Sequence, residues 1–302
     1  MDDVILDQLP SLTDGLLVAA FAGWNDAGEA ATSALQWLLH RRDNRRFAQL
    51  DPDEYYDFTA ARPVISIDAS GLRQLEWPAN EWHVIDGTDG QAPLVVFIGV
   101  EPQLHWRRFS RTFVDLAQRV GVSKVVLLGA YIQDVPHTRP PRLTGASNDP
   151  EWQQRLLSAG VTRSHYQGPT GIVSVVQQAA AELQLPSASI WGVVPHYISA
   201  HPNPRVMHAL LRALTQTIDI RLDLMSLDRE AQTFEQRVDD ALRNNPEALE
   251  MVRSLEREAD GATETAAAEG ESLLPDTENL LEELERFLRS RRQDENQGDK
   301  PS

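Results

Sequence analysis

The stretch GAYIQDVPHTRPPRLTGASND, Gly129 to Asp149, follows directly on the apolar run Val125–Leu128 and gathers Tyr131, Asp134, His137, Thr138 and Arg139 into one loop. A shorter version recurs as WGVVPHYISAHPNP, Trp191 to Pro204. Both read as a buried strand that ends in Val-Pro-His. Ligands of an open α/β sheet are usually met at the carboxyl ends of its parallel strands, so these two endings mark one candidate edge.

Other apolar runs extend the pattern. LLVAAFA (16–22) and LVVFIGV (94–100) are short and continuous, as in strands buried on both faces, and PVISIDA (63–69) and EWHVIDG (81–87) read as further strands. Between them lie segments of helical period. One follows Asn25-Asp26, and one is predicted to start at Glu101-Pro102 and to end at Gly121. Others are read at 149–159, with Asp149 or Asn148 as cap and Pro150 in first position, at 168–183, and after Pro204. Alternating strands and helices predict an α/β fold, a three-layer arrangement around a mainly parallel or mixed central sheet.

The pattern changes near residue 226, so residues 1–225 are expected to form the α/β core and 226–302 an acidic helical extension. Leu227, Ala231, Phe234, Val238 and Leu242 mark one amphipathic helix, and Asn245-Pro246 starts another. GATETAAAEGES (261–272) is small and polar, predicting a linker near 261–275. A last helix is predicted over 276–292, followed by ten disordered residues.

Composition narrows the function. The formal net charge is −17, and residues 228–302 carry 21 acidic against 10 basic side chains, which argues against nucleic acid. The chain has no cysteine, excluding disulfides, thiolate metal sites and a Cys nucleophile. No apolar run approaches a membrane span, and MDDVILDQLP lacks the basic and apolar regions of a signal peptide, so a cytoplasmic protein is expected.

Gly23-Trp24-Asn25-Asp26 lies between a strand and a helix, where exposed N–H groups suit an anion, although Asp26 as a helix cap is the stronger reading. The turn lacks the glycines and the lysine of a nucleotide loop. His137 and His196 each follow a proline that fixes a turn, and each ring is read first as a hydrogen-bonding post for its loop and only second as a catalyst. Asp134, His137 and Arg139 in one loop, with Thr170 or Ser174 elsewhere, could be drawn as an acid–base set, although Thr170 in the Gly-Pro-Thr-Gly turn (168–171) is as readily a cap as a ligand donor. His196 and His201 do not have metal-ligand spacing, and neither a metal nor a cofactor is expected.

The segments AFAGWNDAGEAAT, GVEPQLHWRRF, LGAYIQDVPHTRP, GPTGIVSVV and WGVVPHYISAHPNP, in this order from Leu16 to Ile218, together resemble the actinobacterial-type bacterial branch of the proteasome assembly chaperone 2 family. The resemblance implies a phosphorylase/hydrolase-like fold and a non-enzymatic assembly or interaction factor. Its partners would be proteasome subunits or other proteins. Together with the apolar helix faces it also implies a homo-oligomer, a trimer. The alternative is a small-molecule enzyme or sensor with a cleft lined by the candidate residues. Eukaryotic and archaeal relatives often end in a hydrophobic–Tyr–any-residue tail that docks between proteasome α subunits. Here the last residues are Gln297-Gly298-Asp299-Lys300-Pro301-Ser302, a departure from that pattern.

Overall fold

The computed structural model describes residues 3–269 apart from 69, 88–90, 199 and 244. Their elements, in chain order, are β1 (Val4–Leu6), β2 (Gly15–Ala22), α1 (Ala30–Leu39), β3 (Arg45–Leu50), β4 (Val64–Ile67), β5 (Arg73–Glu76), β6 (Glu81–Ile85), β7 (Leu94–Val100) and α2 (Trp106–Arg119). There follow β8 (Val122–Gln133), β9 (Leu143–Ser147), α3 (Pro150–Ser158), β10 (Thr162–Arg163), α4 (Ile172–Glu182), β11 (Ser187–Pro195), α5 (Pro204–Ile218), α6 (Met225–Leu242) and α7 (Pro246–Glu269).

Nine strands make one sheet in the order β1-β3-β6-β7-β2-β8-β11-β9-β10, and β4 and β5 pair apart from it. The middle of the sheet is parallel: β2 lies between β7 and β8, and β8 pairs with β11. Antiparallel strands flank it, β6, β3 and β1 on one side and β9 on the other. The sheet is therefore mixed. Its four central strands are the continuous apolar runs of the sequence, because a strand covered on both faces has no side to leave polar.

Alternation within those strands feeds two separate cores. From β2, Val18 and Ala20 join Leu35, Trp152, Leu210 and Leu214 of α1, α3 and α5 on one face. Leu17, Ala19 and Phe21 join Phe109, Phe113 and Val176 of α2 and α4 on the other. The second face is rich in aromatics, with Phe97 edge-on to Phe113 at 4.9 Å and 4.5 Å from Trp82. Each such pair contributes about 0.5–1.5 kcal/mol beyond its area burial. The layers are thus helix, sheet, helix, as the sequence pattern implied.

One helix start matches its expected cap: Asp149 accepts a hydrogen bond from the Trp152 N–H with Pro150 following. Asn203 caps α5 in the same way, accepting from the Val206 N–H ahead of Pro204. Glu101-Pro102 does not start a helix. α2 begins at Trp106, after His105 in left-handed backbone (φ 54°), and Glu101 turns back toward β2 instead.

The chain divides into two compact units, Met1–Arg257 and Glu258–Ser302, rather than at 225/226. α6 and the first turns of α7 belong to the first unit because Leu227, Ala231, Val252 and Leu255 are buried. In the second unit α7 continues to Glu269, where a linker was expected; Ala266, Ala267, Ala268 and Glu269 are strong helix formers, which favours continuation. The rest of that linker, the helix over 276–292 and the final ten residues lie outside the described residues.

Candidate functional site

The carboxyl ends of β2, β7, β8 and β11 place most of the candidate side chains. After β2 the chain turns at Gly23, whose φ of 112° is disfavoured for any side chain, and Asp26 then forms a parallel bridge with Ala130 beyond β2's own ladder. The Ala130 N–H donates to the Asn25 carbonyl at 2.8 Å, so the turn is stitched to β8. Asp26 caps α1: its carboxylate accepts from the Ala31 N–H at 2.6 Å, from the Thr32 N–H and from the Thr32 hydroxyl. Burial pushes its pKa above the ordinary carboxylate value, and the Thr32 and Ala31 donors pull against that.

Asn25 is fully buried. Its Nδ2 donates to Glu101 Oε1 at 2.6 Å, and the same oxygen accepts the Ile172 N–H at 2.8 Å. Ile172 opens α4, so Glu101 supplies the negative charge that the positive end of that helix attracts. The anion read as the weaker possibility at the Gly23 turn is met by the protein's own Glu101 carboxylate, beside the Asp26 cap that was the stronger reading. Gly171 makes the close approach possible, since a Cβ on it would stand 2.1 Å from Asn25 Oδ1. That oxygen is buried without a hydrogen-bond partner. Thr170, one residue earlier, is exposed and donates its hydroxyl to Ser174 at 2.6 Å, a local contact within the start of α4.

The His/Arg loop does different work. The His137 ring is buried between the Tyr197 hydroxyl, 2.7 Å from Nδ1, and Asp239 of α6, 3.0 Å from Nε2. The His137 backbone N–H donates to the same hydroxyl at 2.7 Å. Burial pushes the Tyr197 hydroxyl up to about 12, so it stays protonated through the neutral range. Next along, Thr138 donates to Glu256 of α7, and Arg139 pairs with the same carboxylate at 3.2 Å. Arg205 of α5 donates to the Arg139 carbonyl at 3.1 Å and pairs with Glu235 of α6. The loop after β8 is therefore pinned to both C-terminal helices. Asp134 and His196 form a mostly exposed pair at 2.8 Å, a type of contact worth under about 1 kcal/mol. Tyr131 lies half-buried with its ring edge toward Trp191.

The nine candidates thus fall into separate sets. Gly23, Asn25 and Asp26 serve the β2 turn, His137 and Arg139 the helix pins, and Asp134 and His196 each other, while Tyr131 and Thr170 stand apart. A cavity of about 710 Å³ opens between the segment after β11 and α6, walled by Ile198, Pro202, Met207 and Phe234 among others, and none of the nine lines it. No cluster of three or more metal-ligating side chains occurs among the described residues, and no helix among them is long and apolar enough to cross a membrane. Sequence reasoning missed Glu101, Tyr197, Asp239 and Glu256. The last two lie about a hundred residues or more from their partners, with no local signal to find them by.

Residues 20–242 match the family described as the PAC2 family. The chain belongs to the PAC2 family. A PAC2 family protein from Streptomyces avermitilis is 37% identical, with 79% of this chain and 100% of that one aligned at a TM-score of 0.71. A proteasome-assembly chaperone homologue from Mycobacterium tuberculosis is 34% identical over 78% of this chain and 99% of its own, also at 0.71. An archaeal proteasome activator from Pyrococcus furiosus, 16% identical over 79% of this chain and 97% of its own, shares the PAC2 fold at 0.63. No curated protein matches the chain.

Proposed function

We propose that this PAC2 protein is a non-enzymatic assembly or interaction factor of the cytoplasm, a homo-oligomer whose protein partners include proteasome subunits. The observation that carries the reading is the engagement of both His137 ring nitrogens, by Tyr197 and by Asp239. The hydroxyl on this imidazole belongs to a tyrosine that burial keeps protonated and that also accepts the His137 backbone N–H, so the trio reads as a fastening and not as an activated nucleophile. In the most distinctive loop of the chain, the ring ties the turn after β11 to α6. The similarity to a proteasome-assembly chaperone homologue supports the choice of partner, and the net charge of −17 supports a protein rather than a nucleic acid.

The test is capture of the tagged full chain from its own host under gentle conditions, followed by native mass spectrometry. Co-isolated proteasome α subunits are the expected result. A homo-oligomer carrying a discrete small extra mass and no protein partner would overturn the reading in favour of a small-molecule site.

A further inference from the structure

The β4–β5 hairpin stands outside the nine-stranded sheet, and its register is Val64↔Glu76, Ile65↔Leu75, Ser66↔Gln74 and Ile67↔Arg73. Directly opposed residues share a face. Ile65, Ile67 and Leu75 therefore line one face with Arg73, and Val64, Ser66, Gln74 and Glu76 line the other. The apolar face is bare: Ile65 is 60% exposed, Ile67 69%, Leu75 51%, and Leu72 beside them 67%. A two-stranded ribbon is marginal alone in water, and a clean apolar face on one is normally packed against something.

The two edges differ. β5 carries Arg73 and Glu76, whereas β4 reads Val-Ile-Ser-Ile, uncharged, mostly β-branched and free of proline. Edges of the second kind are the ones that pair with another chain unless they are covered. We propose that β4 pairs antiparallel with β4 of a second copy of this chain, about a two-fold axis through Ser66. The register then follows from parity. Ile65 faces Ile67 of the second copy and Ile67 faces its Ile65, so both apolar faces merge on one side of a four-stranded ribbon.

Charge agrees with this occupant. Continued past Val64, the register sets Arg62 diagonally across from Asp68 of the second copy, within reach of a long side chain. Asp68 is already oriented by Ser70, Leu72 and Gln74. The pairing sets Ile65 and Ile67 of one copy beside Ile67 and Ile65 of the other, adding lateral contact between β-branched side chains to the backbone hydrogen bonds along the bare β4 edge. A two-fold pair closes on itself, in place of the trimer that the resemblance implied. The inference rests on the homo-oligomer in the proposed function, and its test needs no proteasome component, so the two can fail separately.

The native chain has no cysteine, so one introduced thiol reports the register. In full-length Ser66→Cys the two thiols face each other across one strand spacing, within disulfide reach. In Gln74→Cys, on the same face of β5, they stand about three spacings apart, roughly 14 Å. On mild oxidation of the purified proteins, Ser66→Cys is expected as a covalent dimer on a non-reducing gel and Gln74→Cys as a monomer. In sedimentation equilibrium the Ile65→Lys/Ile67→Lys double variant is expected to weaken self-association at least tenfold, with its circular dichroism unchanged. A monomeric wild type at tens of micromolar overturns the proposal. So does equal cross-linking of the two cysteine variants, unchanged association of the double variant, or cross-linking of Ser66→Cys only to a different protein in host extract.

Discussion

Replacing Glu101 by alanine tests the view that the anion site at the sheet edge is filled from within. Glu101 Oε1 takes two hydrogen bonds, from Asn25 Nδ2 at 2.6 Å and from the Ile172 N–H at 2.8 Å. Without it, a fully buried amide and the first N–H of α4 lose their acceptor together. Hydrogen bonds to a charged group contribute about 1.5–3 kcal/mol each, and because these two share one oxygen the expected loss is about 3 kcal/mol. For a unit of this size that lowers Tm by roughly 6–12 °C. Glu101→Gln keeps an oxygen but not the charge, and should cost about half as much. Urea unfolding of the full chain, followed by tryptophan fluorescence, measures both variants. A loss below about 1 kcal/mol for Glu101→Ala, or equal losses for the two variants, would refute the reasoning.

Other outcomes follow from the same contacts. Gly171→Ala places a Cβ 2.1 Å from Asn25 Oδ1 and should cost about 2–3 kcal/mol by overpacking, read from the same denaturant curves; a neutral variant would show that Asn25 moves freely. Asp239→Ala leaves a buried His137 nitrogen without its partner and should lower stability by about 1–2 kcal/mol, with faster proteolysis inside α6; an unaltered cleavage pattern would count against the pin. Asp26 adds a pH dependence. Its carboxyl is held above its ordinary 3.8, so the folded chain binds that proton more tightly than the unfolded one. The stability of the native chain relative to Asp26→Asn is therefore greatest below 3.8 and falls as pH rises through the raised value. Paired denaturation curves from about pH 4 to 7 check this, and a flat difference would remove Asp26 as the cause.

What the sequence disclosed follows the physics of burial. β2, β7, β8 and β11 are covered on both sides and so wrote themselves as unbroken apolar runs. β3 begins Arg45-Arg46, β9 reads Leu-Thr-Gly-Ala-Ser and β10 only Thr-Arg. These outer strands are held by backbone pairing and carry no comparable run, so they went unread. The cap Asp149 was legible because capping is local, within three residues. Glu101 was misread for the same reason, since glutamate before proline suits a helix start and its actual partners, Asn25 and Ile172, are more than seventy residues away. The two Val-Pro-His endings meet through a residue that was not read as part of a site: Tyr197 stacks edge-on with both His137 and His196.

The pinning of the β8 loop by α6 and α7 has a consequence in time as well as in space. His137 leaves the ribosome 102 residues ahead of Asp239, and Thr138 118 residues ahead of Glu256. At about 5–20 residues per second, the loop waits roughly 5–20 s for its counterparts. By the end of that interval the sheet's central strands have all emerged and Tyr197 already holds one side of His137, but the nascent chain completes this edge only when its acidic end arrives.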